Sequence, residues 1–431
     1  MNRQAPLAQG ASPLRVNARV LTSSLVGTAV EFYDFYVYAT AAALVIGPLF
    51  FPASSSQAQT LAAFMSFGLA FFARPVGAIA FGHFGDRVGR KSALVTSLVL
   101  MGAATLLIGL LPSYAAIGWA APLLLCILRF GQGFGLGGEW GGATLLAVEN
   151  APPGWAARFG SAPQFGAPVG FIAANGLFLV LGFALDDASF AAWGWRIPFL
   201  ASAILVALGL WVRLRIGETP AFAAALAEAP PPRVPVARLL RDHLGAVVAG
   251  SAGVVACFAL FYLSTAFALS HATGPGGFSR EAYLGVELGA ILFLALGIGL
   301  AALLSDRTSP RRVLMGGAVA TVVVGFAFGP ALASPSLAVH FLALSAALLT
   351  MGFVYGPLGG WLPSLFPVTV RYTGVSVAFT LGGIVGGALA PIAAQMLSAQ
   401  GGIAQVGLFL SAAGAVTLLG VILARTNHAT W

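Results

Sequence analysis

The chain has 431 residues, of which 59% are hydrophobic and 8% charged, and its mean hydropathy is +0.93. Soluble domains carry roughly 25% charged residues, so a water-soluble globular protein is excluded and repeated membrane crossing is implied. The formal charge of +8 does not point to nucleic acid, because the arginines cluster in short gaps between apolar runs, where they set topology.

A helix needs about 20 apolar residues to span a bilayer. Met1–Arg19 is short and basic. Val20–Phe50 follows it; it contains Glu31 and Asp34 and lacks a small-residue cleavage site close behind, so it reads as a first span rather than a secretory signal. Thr60–Phe81, Ser92–Leu111, Ile117–Val148, Phe159–Leu185 and Trp195–Leu214 complete a first set of six spans. Residues 216–243 break the pattern with Ala229-Pro-Pro-Pro-Arg-Val-Pro235 and several arginines, the composition of a linker. Leu244–Ser270, Glu281–Leu304, Val313–Pro330, Ser336–Leu362, Val370–Leu397 and Ile403–Leu423 form the second set. No strand-length alternation runs through the chain, which argues against a β-barrel. The expected fold is an all-α membrane protein of twelve transmembrane helices in two pseudo-symmetric six-helix bundles. Its parts are an N-terminal tail (1–19), a first bundle (20–215), the linker (216–243), a second bundle (244–424) and a C-terminal tail (425–431).

With both termini and the linker on one side, that side collects 17 lysines and arginines and the other keeps Arg196 and Arg280, so the positive side is expected to be cytoplasmic. Arg74 and Arg129 remain inside the membrane. Cys126 and Cys257 lie within apolar runs and suggest neither a disulfide framework nor a metal site, and the five histidines lack ligand spacing. Gly85-Asp-Arg-Val-Gly-Arg-Lys91 joins spans two and three, and Ser305-Asp-Arg-Thr-Ser-Pro-Arg-Arg312 joins spans eight and nine. Asp86 and Asp306 are 306 − 86 = 220 residues apart, about half the chain, which marks two similar halves. Such parallel repeats build transporters whose site lies between the halves near the midplane.

At these residues the chain resembles a major facilitator superfamily transporter, and within it the metabolite:proton symporter family, which includes carriers of citrate, 2-oxoglutarate, shikimate and proline/betaine. The resemblance is carried by Gly27-Thr-Ala-Val-Glu-Phe-Tyr-Asp-Phe-Tyr36, Ala73-Arg-Pro-Val-Gly77, Gly85–Lys91, Arg129–Gly142, Trp195-Arg-Ile-Pro198 and Phe366-Pro-Val-Thr-Val-Arg-Tyr-Thr-Gly374. Thr28 stands where the family usually has asparagine, and Ser309-Pro310 replaces the glycine region of the second loop copy. The tail after Arg425 lacks the coiled-coil extension of the family's osmosensing members. The resemblance implies that Gly85, Asp86, Arg87, Gly89, Arg90 and Lys91, with Asp306 and Arg307, latch the two halves on the cytoplasmic face. It also implies a functional monomer in the inner membrane.

Candidate site residues follow from the cost of intramembrane charge, about 2.5–3.5 kcal/mol per group on insertion scales. Arg129–Gly142 places an arginine, a glutamine and a glutamate in a glycine-rich span. At about 100° per residue, Arg129, Gln132 and Glu139 share one face, which reads as the lining of a cavity. Arg129 either binds a substrate carboxylate through its planar donors or pairs with Glu139, Glu31 or Asp34. Gln132 either bonds substrate or bridges helices. Glu31 and Asp34, three residues apart with Tyr38 near the same face, form a candidate proton-carrying pair, because close carboxylates disfavour double ionisation. Glu139 is either a second proton site or a packing residue. Arg74, just before Pro75, is either an anion site or a support for backbone freed by the proline. Tyr262 and Ser264 in span seven, with Tyr355 and Trp361 in span ten, could cover a small substrate or simply pack.

The expectation is a secondary transporter rather than an enzyme or a channel. It takes a small organic metabolite, most readily an organic anion, inward across the bilayer with protons as coupling ion. A zwitterion such as betaine, or export by exchange, is the alternative. No other cofactor, no metal and no nucleic acid is expected.

Overall fold

The computed structural model describes residues 17–52, 55–88, 90–215, 235–274, 276–367 and 370–425. These residues are helical with short connections, and no strand occurs among them. Among the described residues, eleven helices are long and apolar enough to cross a membrane. In the first half these are α1 (Leu21–Phe50), α2 (Ser56–Phe81), α4 (Ala120–Glu149), α5 (Ala156–Ala184) and α6 (Gly194–Trp211). In the second half they are α7 (Leu244–Thr273), α8 (Arg280–Arg307), α9 (Pro310–Leu332), α10 (Leu337–Leu365), α11 (Arg371–Gly401) and α12 (Ala404–Leu423). The expected twelfth is α3 (Arg90–Leu110), whose apolar part, Val95–Leu110, is shorter than the others because the helix begins in the basic loop motif.

The helices pair by one rule in both halves. α1 packs on α5, α2 on α4 and α3 on α6; six positions later α7 packs on α11, α8 on α10 and α9 on α12. The bundles meet along two symmetry-related seams, α2 with α11 and α5 with α8. The repeat also shows in the backbone. A π-helical turn interrupts α1 at Ala42–Ile46 and another interrupts α7 at Leu263–Phe267, 263 − 42 = 221 residues on, close to the spacing of Asp86 and Asp306. Such turns loosen the hydrogen-bond ladder and are frequent near functional sites. The end of the proline-rich linker forms a helix, Pro235–Asp242, that buries Leu239 fully. Residues 216–234 lie outside the described residues.

The glycine-rich stretch of α4 sets the geometry of the first bundle. A Cβ on Gly133 would run into the backbone carbonyl of Ala70, and one on Gly137 into the carbonyl of Arg74. The two backbones are therefore in direct contact, as small residues permit. Gly131, on the open side of the same helix, meets nothing nearer than the Ala104 Cβ at 4.0 Å. Gly133→Val should lower the thermal unfolding midpoint of the purified protein or abolish folded material, because overpacking costs about 1–3 kcal/mol or more. Gly131→Val should leave the midpoint within error, as fluorescence size-exclusion and a thermal ramp would show.

Candidate functional site

Between the bundles lies a small, narrow cavity. Phe32, Tyr36 and Ala167 line it from the first bundle, and Cys257, Phe258, Phe261 and Tyr262 of α7 from the second. Met351 and Tyr355 of α10 and Phe379 of α11 complete the wall. The lining residues are mostly aromatic, with three tyrosines among them. Tyr36 stacks on Phe261 with ring centroids 4.7 Å apart, and Trp140 stacks on Phe379 at 3.7 Å, so aromatic pairs join the bundles around the cavity. The Trp140 indole N–H donates to the Tyr355 hydroxyl at 3.2 Å.

The two intramembrane arginines sit in different settings. Arg129 is fully buried. Its Nη2 donates to the Phe67 carbonyl at 2.8 Å, its Nε to the Ser66 carbonyl at 3.4 Å, and its Nη1 to Oε1 of Gln132. The guanidinium carbon lies 3.8 Å from the centroid of the Tyr38 ring. Arg129 pairs with no carboxylate among the described residues, so of its two expected roles neither the salt bridge nor direct access to the cavity is formed in this conformation. Gln132 bridges helices: its amide donates to the Asp34 carbonyl at 3.2 Å and to the Thr105 hydroxyl at 2.9 Å.

Arg74 has no such partners. It is 8% exposed, and its guanidinium carbon lies 4.4 Å and 4.5 Å from the ring centroids of Phe35 and Phe71. Its Nε is buried without a hydrogen-bond partner, and no hydrogen bond or ion pair holds its other nitrogens among the described residues. It therefore does not support backbone freed by Pro75. Tyr36, Tyr262 and Tyr355 of the cavity wall and Glu31 all lie within its electrostatic range.

Glu31 and Asp34 are not brought together as a pair. Glu31 lies near Arg74 and Tyr355. Asp34 points into the first bundle, where its Oδ1 accepts from the Ser202 hydroxyl at 2.5 Å and Thr105 lies beside it. Its Oδ2 is buried without a partner. Tyr38 also faces the first bundle, where its hydroxyl shares a 2.6 Å hydrogen bond with Ser66. A 3₁₀ turn at Leu136–Gly138 separates Glu139 from the helix of Arg129, so the single-helix face drawn through Arg129, Gln132 and Glu139 is interrupted; Glu139 is buried at the head of the next segment. Tyr262 and Tyr355 line the cavity, whereas Ser264 is buried in the π turn of α7. Trp361 packs over Gly253 of its own bundle and is not part of the lining.

Several working residues were not singled out from sequence. Tyr36 lies in the same motif as Glu31, and Trp140 directly follows Glu139, so position in the motif was a signal for both. Ser202, Thr105, Phe258 and Phe379 carried none, since small hydroxyl and phenylalanine side chains are common in membrane spans.

The family model described as "Sugar (and other) transporter" matches residues 20–229. The inner membrane metabolite transport protein YhjE of Escherichia coli K12 is 44% identical over 425 residues, covering 97% of this chain and 96% of that protein. The chain belongs to the metabolite transporters of the major facilitator superfamily. It is a multi-pass membrane protein and not an enzyme. The shikimate transporter of the same organism is 39% identical, covering 90% of each chain. The crystal structure of a D-xylose-proton symporter shares the fold, with a TM-score of 0.72 at 18% identity over 94% of this chain and 96% of that one.

In this transporter both ends of the cavity are bridged. At the end bearing the linker, Asp306 of α8 accepts from the backbone N–H of Ala157 at 2.8 Å and of Arg158 at 3.2 Å, and from Nε of Arg158 at 2.6 Å. The carboxylate thus caps the first turn of α5 across the bundle seam. Arg307, beside it, is exposed. At the distal end, Arg280 of α8 reaches Asp187 at 3.3 Å and covers the Phe190 ring at 3.8 Å. The side chains of Gly85–Lys91 lie outside the described residues, and Gly89 does so entirely.

The contrast between the arginines is testable on the ligand-free protein. Arg129→Met should lower the unfolding midpoint strongly, because hydrogen bonds to a charged group contribute about 1.5–3 kcal/mol and buried acceptors lose their donor. Arg74→Met should hold or raise the midpoint, since it removes a buried charge that lacks a hydrogen-bonded partner. Thermal ramps on the two purified variants decide it.

Proposed function

We propose that this transporter takes up a small organic carboxylate together with a proton, across the inner membrane, with both termini and the linker in the cytoplasm. The observation that carries the carboxylate is Arg74, a guanidinium within electrostatic range of the cavity-wall residues Tyr36, Tyr262 and Tyr355 that has no hydrogen-bonded partner among the described residues. A planar donor fork left open at membrane depth is completed by an anionic ligand, and a carboxylate matches it bidentately. The aromatic wall accommodates the ligand's apolar part, and the tyrosine hydroxyls and Glu31 meet its polar edge.

The proton is assigned to Asp34, on Oδ2. Gln132 ties the backbone of Asp34 to Arg129, so gain or loss of the Asp34 proton changes the charge beside the network that holds α1 against α4. With the proton in place, Arg129 stays on its carbonyls and the site keeps the shape seen here. Loss of the proton toward the cytoplasm leaves an anion in the first bundle and favours rearrangement of Arg129. Asp306 and Arg158 then act as the cytoplasmic gate, and Arg280 with Asp187 as the outer one.

A second reading is favoured by one feature. The ring-lined cavity also suits a quaternary ammonium, which aromatic faces attract, so a betaine could place its carboxylate on Arg74 and its cation on the rings.

A thermal-shift panel of shikimate, other organic acids, betaines and sugars, at mildly acidic and mildly alkaline pH, separates these readings. A ligand at 100 times its Kd stabilises by about 2.7 kcal/mol. An acid that stabilises wild type, more so at acidic pH, and fails to stabilise Arg74→Lys supports carboxylate symport. Stabilisation by a betaine alone supports the second reading, and stabilisation by sugars with Arg74→Lys unaffected removes both. In proteoliposomes, Asp34→Asn should retain exchange of labelled ligand yet lose accumulation driven by an inward proton gradient. Accumulation at the wild-type level would remove Asp34 from coupling.

A further inference from the structure

The charged groups used so far for coupling belong to the first bundle, but the second bundle also holds a buried carboxylate within a span. Glu287 lies two turns into α8 and is 1% exposed. Its Oε1 is buried without a hydrogen-bond partner, and no ion pair reaches it among the described residues. An ion in such a setting pays a desolvation penalty of several kcal/mol with nothing to offset it, whereas a neutral acid does not.

The ionisable groups around it form a line toward the distal end. On its own helix, Tyr283 is fully buried one turn away and within electrostatic range of Glu287. Arg280, a further turn out, is engaged by Asp187 and Glu281. From α10, Nδ1 of His340 lies 3.1 Å from the Tyr283 hydroxyl and Nε2 lies 3.0 Å from the Ser334 carbonyl. From the end of α7, His271 lies within electrostatic range of His340. The remaining helices packed on α8 bring ionisable groups only at the linker end: Arg158 on α5, which is held by Asp306, and Arg311 and Arg312 on α9.

The hydrogen bonds fix the imidazole. A carbonyl can only accept, so Nε2 of His340 carries a proton and Nδ1 accepts from the Tyr283 hydroxyl. Ser334 sits in the short turn between α9 and α10, flanked by exposed Ala333 and Pro335. His340 thus stands one hydrogen bond from the distal surface, and Tyr283, hydrogen-bonded to it, lies one helical turn from Glu287 on α8.

We propose that Glu287 is a second proton-binding site, in the second bundle, connected to the distal face through Tyr283 and His340. A proton leaving Glu287 is taken by the Tyr283 oxygen as that hydroxyl's own proton passes to Nδ1 of His340. The imidazolium then releases its Nε2 proton to water at the α9–α10 turn, and uptake follows the same steps in reverse. The use of this site in transport rests on the proton-symport reading; its existence does not.

The test needs no substrate. Purified full-length protein in nanodiscs is examined by infrared difference spectroscopy and by a pH-indicator dye after a pH jump. Wild type should show a protonated-carboxyl band at neutral pH that Glu287→Gln lacks, and the variant should exchange one proton fewer per chain. Tyr283→Phe should keep the band and slow its response to the pH jump by about tenfold or more, the range by which positioned proton-transfer groups act. An unchanged carboxyl band and proton count in Glu287→Gln overturn the site. If Glu287→Gln does not fold, Tyr283→Phe decides alone, and a band that responds at the wild-type rate overturns the path. Loss of the Glu287 band alongside ligand uptake that ignores pH leaves the site standing and removes the symport reading.

Discussion

A guanidinium at membrane depth has to be satisfied by something other than water, and the way Arg129 is satisfied shapes the first bundle. Its donors reach backbone carbonyls of α2 and the side chain of Gln132. That reach requires α2 and α4 to lie backbone against backbone, and Gly133 and Gly137 are what permit it. Gln132 then carries the tie to α1 and α3 through the Asp34 carbonyl and Thr105. Four helices are thereby locked by one polar network with a cation at its centre. Arg74, four residues beyond the α2 backbone that Gly133 touches, is left outside that network, so one bundle contains both a structural arginine and an available one.

The pairing of α1 with α5, α2 with α4 and α3 with α6, repeated in α7–α12, means that each half is a closed unit and that the cavity belongs to neither. The lining residues come from both. Aromatic contacts cross the seam around the cavity, Tyr36 on Phe261, Trp140 on Phe379 and Phe71 against Phe258 and Tyr262 among them. A stacked aromatic pair contributes about 0.5–1.5 kcal/mol beyond its buried area, small enough to be broken and remade in each cycle. The matching π turns in α1 and α7 put softened backbone at equivalent places, each within two turns along its helix of the Tyr36–Phe261 pair.

The spans, the halves and the two buried arginines were legible in the sequence because each is a one-dimensional signal: an apolar run, a repeated loop, a charge in the wrong place. The division of labour between Arg74 and Arg129 was not. It depends on which carbonyls come within reach once glycines let two helices touch, and that is a property of the packed bundle. The 100° rule grouped Arg129 with Glu139 but could not foresee the 3₁₀ turn at Leu136–Gly138, which lies in a run of glycines with no local preference for either helix. Trp361 and Tyr355 looked alike in the sequence. Only the position of Gly253 under one ring, and of the cavity beside the other, separates them.

The bridges at the two ends of the cavity differ in kind, and the difference bears on how the halves move. At the distal end, Arg280 holds Asp187, which is itself largely exposed, so that ion pair is weak and screened. At the linker end, the Asp306 carboxylate is buried and accepts two backbone N–H groups besides the arginine. Opening that end strips the first turn of α5 of its cap as well as breaking an ion pair. A carrier with these two closures rests more readily with its distal end open than with its linker end open. The event that releases the linker end therefore has to reach α5 or α8, and Glu287 lies on α8, the helix that also carries Arg280 at one end and Asp306 at the other.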